Sequence, residues 1–299
     1  MSWKHLFVPT LTESGKPQGH HRLAYTDWGD PKNEHVVVCV HGLTRNCRDF
    51  DFLAAALQQD FRVICIDMVG RGRSDWLKHP LDYNSPLVYL SDVENMLRHV
   101  HTQAPGRMQL YWVGVSMGGL IGMMLAARPH LPVDFNALVI SDIGPFIPTW
   151  ILRRFADYVG KDPRFDSLDQ MQAYMKSISR SCGDLSDAQW HHLAKYGARD
   201  YADGTVGFRY DPAISISFQP DIAQDIDLWP HWDRLALPTL VLRGEQSDLL
   251  PPAMASEMQL RGPKADVVEL PGIGHAPMLM DSREIGLIRN FLLKFKSHN

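Results

Sequence analysis

Short apolar runs alternate with amphipathic stretches along most of the chain. The runs are rich in β-branched residues, which is typical of strands buried on both faces of a parallel sheet. We expect residues 22–28 to add an antiparallel strand at one edge, and residues 266–270 to form the last strand, nearer the other edge. The more strongly apolar strands are predicted at residues 36–40, 62–66, 109–113, 137–140 and 239–242.

Helical spacing of apolar residues fills most of the gaps between these runs, at residues 48–59, 86–101, 117–128 and 282–296. Strands that alternate with helices in this way favour an α/β fold, in which helices flank a mostly parallel sheet. A chain of 299 residues that is 45% hydrophobic is long enough to bury a large core.

Residues 146–232 break the alternation. Helices with capping-box starts are predicted after Ser167 and Ser186, and Asp203-Gly204 has the composition of a tight turn. Because the block lies between two core strands, we expect an inserted helical lid, with the core formed by residues 1–145 and 233–299. Some apolar residues of this block either line a substrate pocket or pack the lid's own core: Trp150, Ile151, Phe155, Met171, Tyr174 and Met175.

The segment Gly114-Val115-Ser116-Met117-Gly118 has the G-x-S-x-G pattern of a nucleophile elbow. It follows a predicted strand and precedes a predicted helix, which is the context that the pattern requires. Glycines permit the close backbone approach of such a turn, so the serine hydroxyl is exposed at the corner. Ser116 is therefore the candidate nucleophile.

An active serine needs a base and a group that orients the base. We predict His275 as the base, because it lies in a Gly/Pro-rich loop after the last strand. We predict Asp248 as the orienting acid, since its loop precedes the histidine-bearing strand and the order Ser, Asp, His fits the elbow motif. Asp142, which also follows a strand, is the alternative acid and otherwise a turn residue at the lid entrance. Glu245 is a third option.

Acyl transfer also needs N–H donors for the developing oxyanion. The sequence His41-Gly42-Leu43 follows the first core strand, and its glycine permits a sharp turn. We predict the backbone N–H groups of Leu43 and Met117 as the oxyanion hole, because Met117 begins a helix with its positive dipole end. His41 is interpreted as a hydrogen-bonding brace for this loop.

Composition and charge exclude several classes of protein. The net charge of −4 gives no basic footprint for nucleic acid, and no apolar run approaches the length that spans a bilayer. The N-terminus lacks the apolar region of a signal peptide, so we expect a cytoplasmic protein. The four cysteines show no metal-ligand spacing and are expected to be free thiols, with no metal bound. The sequence does not indicate an oligomeric state.

The chain resembles the α/β-hydrolases of the lidded type. The resemblance rests on His41-Gly42-Leu43, on Asp67 to Asp75, on Gly114 to Gly119, on Arg243 to Asp248 and on Gly272 to His275, which follow the family's order along the core. It implies that Ser116, Asp248 and His275 form a catalytic triad, and that no cofactor is needed. Family members that open epoxides or displace halide carry aspartate at the elbow, so Ser116 argues against both reactions.

The resemblance implies a serine hydrolase with a small-molecule substrate. Our leading hypothesis is a carboxylesterase that forms an acyl-enzyme on Ser116. A carbon–carbon bond hydrolase of a ring-fission diketone, or a lactonase or thioesterase, would use the same triad. A ligand receptor without catalysis is the remaining alternative, and the complete set of catalytic groups weighs against it.

Overall fold

The computed structural model describes residues 1–103, 108–179 and 182–296. The strands in these ranges are β1 (Ser2–Leu11), β2 (Pro17–Trp28), β3 (His35–Val40), β4 (Arg62–Asp67), β5 (Gln109–Val115), β6 (Phe135–Ser141), β7 (Phe146–Ile147), β8 (Ala198–Asp200), β9 (Val206–Phe208), β10 (Ile226–Asp227), β11 (Thr239–Gly244) and β12 (Asp266–Leu270). The α-helices are α1 (Asp51–Leu57), α2 (Pro86–Gln103), α3 (Met117–Ala126), α4 (Thr149–Phe155), α5 (Leu168–Ile178), α6 (Asp187–Gly197), α7 (Trp229–Trp232), α8 (Pro252–Leu260) and α9 (Ser282–Lys294). Short 3-10 helices span Cys47–Phe50, Pro80–Asn84 and Pro212–Phe218.

Eight strands form one sheet in the order β1-β2-β4-β3-β5-β6-β11-β12. The strands from β4 to β12 in this order run parallel to one another, whereas β1 and β2 join in antiparallel fashion. This arrangement confirms the α/β prediction, the antiparallel orientation of residues 22–28 and the position of residues 266–270 at the sheet edge. The other edge, predicted for residues 22–28, is occupied by β1. Strand β1 was missed, because Ser2–Leu11 has no regular alternation and its Phe7 side chain is exposed.

Both faces of the sheet are covered. Along β3, Val36 and Val38 belong to one hydrophobic core, while Val37 and Cys39 between them belong to a second core on the opposite face. All four side chains are fully buried. A β-strand sends successive side chains to opposite faces, so the apolar run predicted here as a doubly buried strand is confirmed.

Residues 146–232, named here the inserted segment, lie between β6 and β11. The predicted helix caps are confirmed, since the Ser167 and Ser186 hydroxyls accept hydrogen bonds from the backbone three residues onward. The predicted turn is also confirmed, because Gly204 has a φ of +85° within the β8–β9 hairpin. A small, separate hydrophobic core around Met171 and Trp190 is formed mostly by this segment, together with Met280 from outside it. Its bounds and its role as a lid stay a prediction.

No helix in the described ranges is long and apolar enough to cross a membrane.

Candidate active site

The elbow places Ser116 between the end of β5 and the start of α3. Ser116 has a φ of 50° and a ψ of −113°, a conformation that is uncommon for a residue with a side chain. Its backbone N–H donates to the Ser141 carbonyl at 2.9 Å, which ties the turn to the neighbouring strand β6. The serine side chain is thereby held at the carboxyl end of the sheet.

Two elbow glycines are required by close backbone contacts. A Cβ atom at Gly114 would lie 2.2 Å from the Gly118 carbonyl oxygen, and one at Gly118 would lie 2.0 Å from the Val40 carbonyl oxygen. Neither distance is possible for non-bonded atoms, and backbone cannot move aside as a flexible side chain can. The motif is therefore explained by the packing of α3 against β5 and β3.

His275 is hydrogen-bonded to Ser116, as the sequence predicted. Its Nε2 atom lies 2.9 Å from the Ser116 hydroxyl oxygen. The histidine comes from the loop that joins β12 to α9, and its side chain is about one-fifth exposed. This geometry suits a base that takes the hydroxyl proton.

The acid beside His275 is Asp142, so the prediction of Asp248 was wrong. The Asp142 Oδ2 atom lies 2.8 Å from His275 Nδ1, and its Oδ1 atom accepts the Gly244 N–H at 2.8 Å. Asp142 is completely buried. Asp248 instead has a half-exposed side chain that forms an ion pair with Arg154 of the inserted segment.

The strand order explains the correction. Strand β6 lies between β5 and β11, and Asp142 is the first residue after β6, so its carboxylate lies at the carboxyl end of the sheet beside His275. Asp248 comes four residues after Gly244, the last residue of β11, where the chain has already turned towards the inserted segment. In the sequence, the signal that favoured Asp142 over Asp248 was that Asp142 directly follows its strand. Glu245, the third option, accepts the Gly272 N–H and contacts neither Ser116 nor His275.

The proposed oxyanion donors lie on either side of Ser116. Met117 is the first residue of α3, where N–H groups have no acceptor within the helix. Leu43 lies in a turn closed by the bond from Arg45 N–H to the Gly42 carbonyl, and its own carbonyl accepts the Arg71 Nε–H at 2.8 Å. Among the hydrogen bonds of the described residues, none uses the N–H of Leu43 or Met117 as donor. Both donors are therefore available to a ligand, and their assignment as an oxyanion hole is a proposal.

His41 braces the turn, as predicted. Burial, together with the positive charges of Arg71 and Arg45, lowers the pKa of its imidazole to about 3, so the ring is neutral. Its Nε2 accepts the Met68 N–H at 3.1 Å, and Nδ1 consequently donates to the Gly42 carbonyl at 2.7 Å. This ring has both nitrogens engaged and is not the base.

A cavity of about 400 Å³ opens above Ser116 and His275. Of the six predicted lining candidates, Phe155, Tyr174 and Met175 line it. Trp150 is exposed, Ile151 is buried in the main hydrophobic core, and Met171 is buried in the small core around Trp190. Sequence reasoning missed several lining residues because they are scattered along the chain: Tyr158, Cys182, Trp190, Phe208 and Tyr210. The walls contributed by the inserted segment are thus mainly aromatic and aliphatic.

Arg45 also lines the cavity, but its charge is already compensated. Its guanidinium donates to both carboxylate oxygens of Asp49, at 2.7 and 2.8 Å.

All four cysteines are free, and Cys182 is the one that is partly exposed. Within the part of the chain that the structure describes, no group of three or more His, Cys, Asp or Glu residues could hold a metal ion.

The sheet, the serine elbow and the adjacent histidine are features of a class of hydrolases, and the sequence comparison identifies that class. The sequence profile of the alpha/beta hydrolase family matches residues 37–285. The chain belongs to this family and is a hydrolase.

Three proteins illustrate its similarities. The 3-hydroxybutyrate-oligomer hydrolase of Cupriavidus necator is 39% identical over 283 residues, which cover 92% of this chain and 94% of that protein. A putative hydrolase from Rickettsia typhi has a crystal structure that superimposes with a TM-score of 0.89 at 32% identity, covering 99% of this chain and all of the other. The crystal structure of an α/β hydrolase from Novosphingobium aromaticivorans gives a TM-score of 0.81 at 34% identity, with 98% of each chain covered.

Proposed function

We propose that the protein is a serine carboxylesterase whose triad is Ser116, His275 and Asp142. The observation that carries the proposal is the continuous pair of hydrogen bonds, 2.9 Å from Ser116 to His275 and 2.8 Å from His275 to Asp142. A buried carboxylate in this position holds Nδ1–H of the imidazole, so that Nε2 is free to accept the serine proton.

The reaction then proceeds through an acyl-enzyme. The Ser116 oxygen attacks the ester carbonyl carbon while His275 Nε2 takes the hydroxyl proton, and the resulting oxyanion accepts hydrogen bonds from the Leu43 and Met117 N–H groups. The tetrahedral intermediate collapses when the ester C–O bond breaks and His275 returns the proton to the leaving alcohol. Water, deprotonated by the same histidine, attacks the acyl-serine and releases the acid.

We propose short oligoesters of 3-hydroxybutyrate as the substrate class. The support is the 39% identity, over nearly the whole of both chains, to a hydrolase of 3-hydroxybutyrate oligomers. A cavity of about 400 Å³ lies in the range of small-molecule sites, and its aromatic and aliphatic walls suit short methyl-bearing units. No cofactor or metal takes part in this mechanism.

The test combines active-site labelling with a substrate panel. Wild-type protein and Ser116→Ala are treated with a fluorophosphonate and analysed by intact mass, and both are assayed on 3-hydroxybutyrate dimer and trimer and on nitrophenyl esters of increasing acyl length. We expect labelling and turnover in wild type and neither in Ser116→Ala.

Each other result contradicts a defined part of the proposal. Turnover of nitrophenyl esters without turnover of the oligomers would contradict the proposed substrate class and support the proposed esterase activity. Turnover of a ring-fission diketone but of no ester would favour carbon–carbon bond cleavage. A folded wild type that is not labelled would favour a receptor.

A further inference from the structure

A second cavity, of about 460 Å³, lies where the core meets the inserted segment, and Ser116 and His275 do not line it. Its residues come from β1, from β2, from the loop after β4 and from the β8–β9 region. They are His5, Arg22, Gly72, Arg73, Ser74, Trp76, Arg199 and Arg209. Four of these eight described residues are arginines and none is acidic, in a chain whose net charge is −4. We name this set of residues the arginine cavity.

Most of the positive charge in the arginine cavity is not paired. Arg22 forms an exposed ion pair with Asp75 at 3.2 Å, and its buried Nε atom has no hydrogen-bond acceptor among the described residues. Among the described residues, no carboxylate forms an ion pair with Arg73, Arg199 or Arg209. Burial, and then repulsion from Arg73, lower the pKa of Arg209 despite the opposing charges of Asp200 and Asp67. The four guanidinium groups therefore concentrate positive charge in one place, and a bound anion would stabilise it.

Aromatic rings hold two of the arginines in place. The Arg73 guanidinium lies 4.2 Å from the centre of the Trp3 ring. Arg199 lies 4.4 Å from the Trp76 ring centre and 4.7 Å from that of Tyr201. Stacked guanidinium groups keep their donors ordered, so less side-chain entropy is lost when they bind an oxyanion.

The arginine cavity and the active-site cavity lie on opposite sides of one short stretch of chain. Phe208 and Tyr210 line the active-site cavity, whereas Arg209 between them lines the arginine cavity. The Arg209 carbonyl accepts the Gly72 N–H at 3.0 Å, which fastens this stretch to the loop after β4. An anion bound by Arg73 and Arg209 would join the core to the inserted segment at the wall of the active site.

We propose that the arginine cavity binds a compact oxyanion of two or more negative charges, of the phosphate or polycarboxylate kind. Guanidinium groups match the geometry of both kinds of oxygen pair, and several converging arginines favour a multivalent anion over chloride. The site acts on the inserted segment and takes no part in ester cleavage.

The experiment measures binding by isothermal titration calorimetry on the Ser116→Ala protein, which separates this site from turnover. Inorganic phosphate and citrate are titrated at constant ionic strength, with sodium chloride as the reference anion. We expect one site with a Kd below about 1 mM for phosphate, citrate or both. The anion that binds more tightly identifies the source of the oxyanion.

Substitutions locate the site. Arg73→Gln and Arg199→Gln should each weaken binding by about tenfold or more, while Arg153→Gln, an exposed arginine of α4 outside the cavity, should leave it unchanged. Hydrogen exchange provides a readout without substitution, since backbone amides of residues 198–211 should exchange more slowly with the anion bound.

Several results would overturn the proposal. One is that neither phosphate nor citrate binds, and another is that all three arginine substitutions weaken anion binding equally. The third such result is that titration with sodium chloride releases the same heat as titration with phosphate or citrate. If a cavity variant does not fold, quenching of Trp76 fluorescence by the anion, compared between the parent and Trp76→Phe, decides the question. Quenching that Trp76→Phe retains in full would count against the site.

Discussion

The Asp142 carboxylate bridges two neighbours that are far apart in the sequence, since one oxygen faces His275 Nδ1 at 2.8 Å and the other accepts the Gly244 N–H at 2.8 Å. Gly244 ends β11, and Asp142 follows β6 beside it. The sheet itself thus fixes the Asp142 carboxylate, and this carboxylate fixes the rotation of the imidazole.

Asp142→Asn should lower kcat for ester hydrolysis by orders of magnitude, with about 10⁴ as the precedent in serine proteases. The amide cannot stabilise the imidazolium and favours the wrong tautomer. Asp248→Asn is the matched control, because it removes the same charge from an exposed ion pair and should change kcat by less than about twofold. Steady-state kinetics on one nitrophenyl ester compare the two variants. A larger loss in Asp248→Asn would return the acid's role to that residue.

Gly114→Ala and Gly118→Ala should each lower the free energy of unfolding by about 3 kcal/mol or more, because the added Cβ would overlap backbone oxygens. Gly286→Ala is the control within a helix, since its Cβ would meet no atom within 4 Å. That substitution should raise stability by about 0.5–1 kcal/mol. Urea denaturation measures all three. Wild-type stability in Gly118→Ala would show that α3 can move away from β3.

Glu284 should make stability depend on pH. Burial, and then the charge of Asp281, raise the pKa of its carboxyl to about 7 from its ordinary 4.5. Between these pH values the folded state keeps a proton that the unfolded state has lost, so the free energy of unfolding falls as the pH rises. Glu284→Gln, which can still accept the Met280 N–H, should therefore be more stable than wild type at pH 8, by on the order of 2 kcal/mol.

That advantage should shrink as the pH falls below 7 and vanish near 4.5. Urea midpoints across this range provide the measurement. Glu13→Gln, at an exposed position, should stay within about 0.5 kcal/mol of wild type at every pH. If the Glu284→Gln advantage were constant with pH, it would come from packing and not from ionisation.

Alkylation of Cys182 should reduce turnover. Its Sγ lies 4.0 Å from the His275 carbonyl oxygen and lines the cavity above Ser116, so an added carboxamidomethyl group occupies substrate space. Burial raises the pKa of this thiol, so the reaction with iodoacetamide should be slow at neutral pH and faster in alkali. Residual activity is compared in treated and untreated samples of wild type and Cys182→Ser. Equal losses in both proteins would assign the effect to another group.

Local chemistry made much of the site predictable. Ser116 and His275 were predicted from glycine-rich turns after apolar strands, and both turn types are specified by a few adjacent residues. The choice between Asp142 and Asp248 depends on strand order, and both residues fit the order Ser, Asp, His along the chain. Nothing local to either aspartate reveals that β6 lies between β5 and β11.

The arginine cavity shows the same limit of sequence reasoning. Arg22, Arg73, Arg199 and Arg209 are separated by up to nearly two-thirds of the chain, and each alone resembles an ordinary surface arginine. The interruption of the alternating pattern predicts the inserted segment, and the bounds of the segment stay a prediction. Which of its apolar residues face the cavity depends on how its helices pack, and periodicity does not determine that packing.

The position of Asp142 has a consequence for how such a chain can diversify. Ser116 and Asp142 both precede the inserted segment, while His275 follows it, and the pairing of β6 with β11 returns the chain to the sheet whatever lies between. Strand pairing thus does not depend on residues 146–232, although Ile151 and Trp232 of the segment pack in the same hydrophobic core as the sheet. Asp248, by contrast, contacts the segment directly through its ion pair with Arg154. We therefore expect changes in the loops of the segment to alter the cavity walls before they alter the strands that hold Ser116 and Asp142.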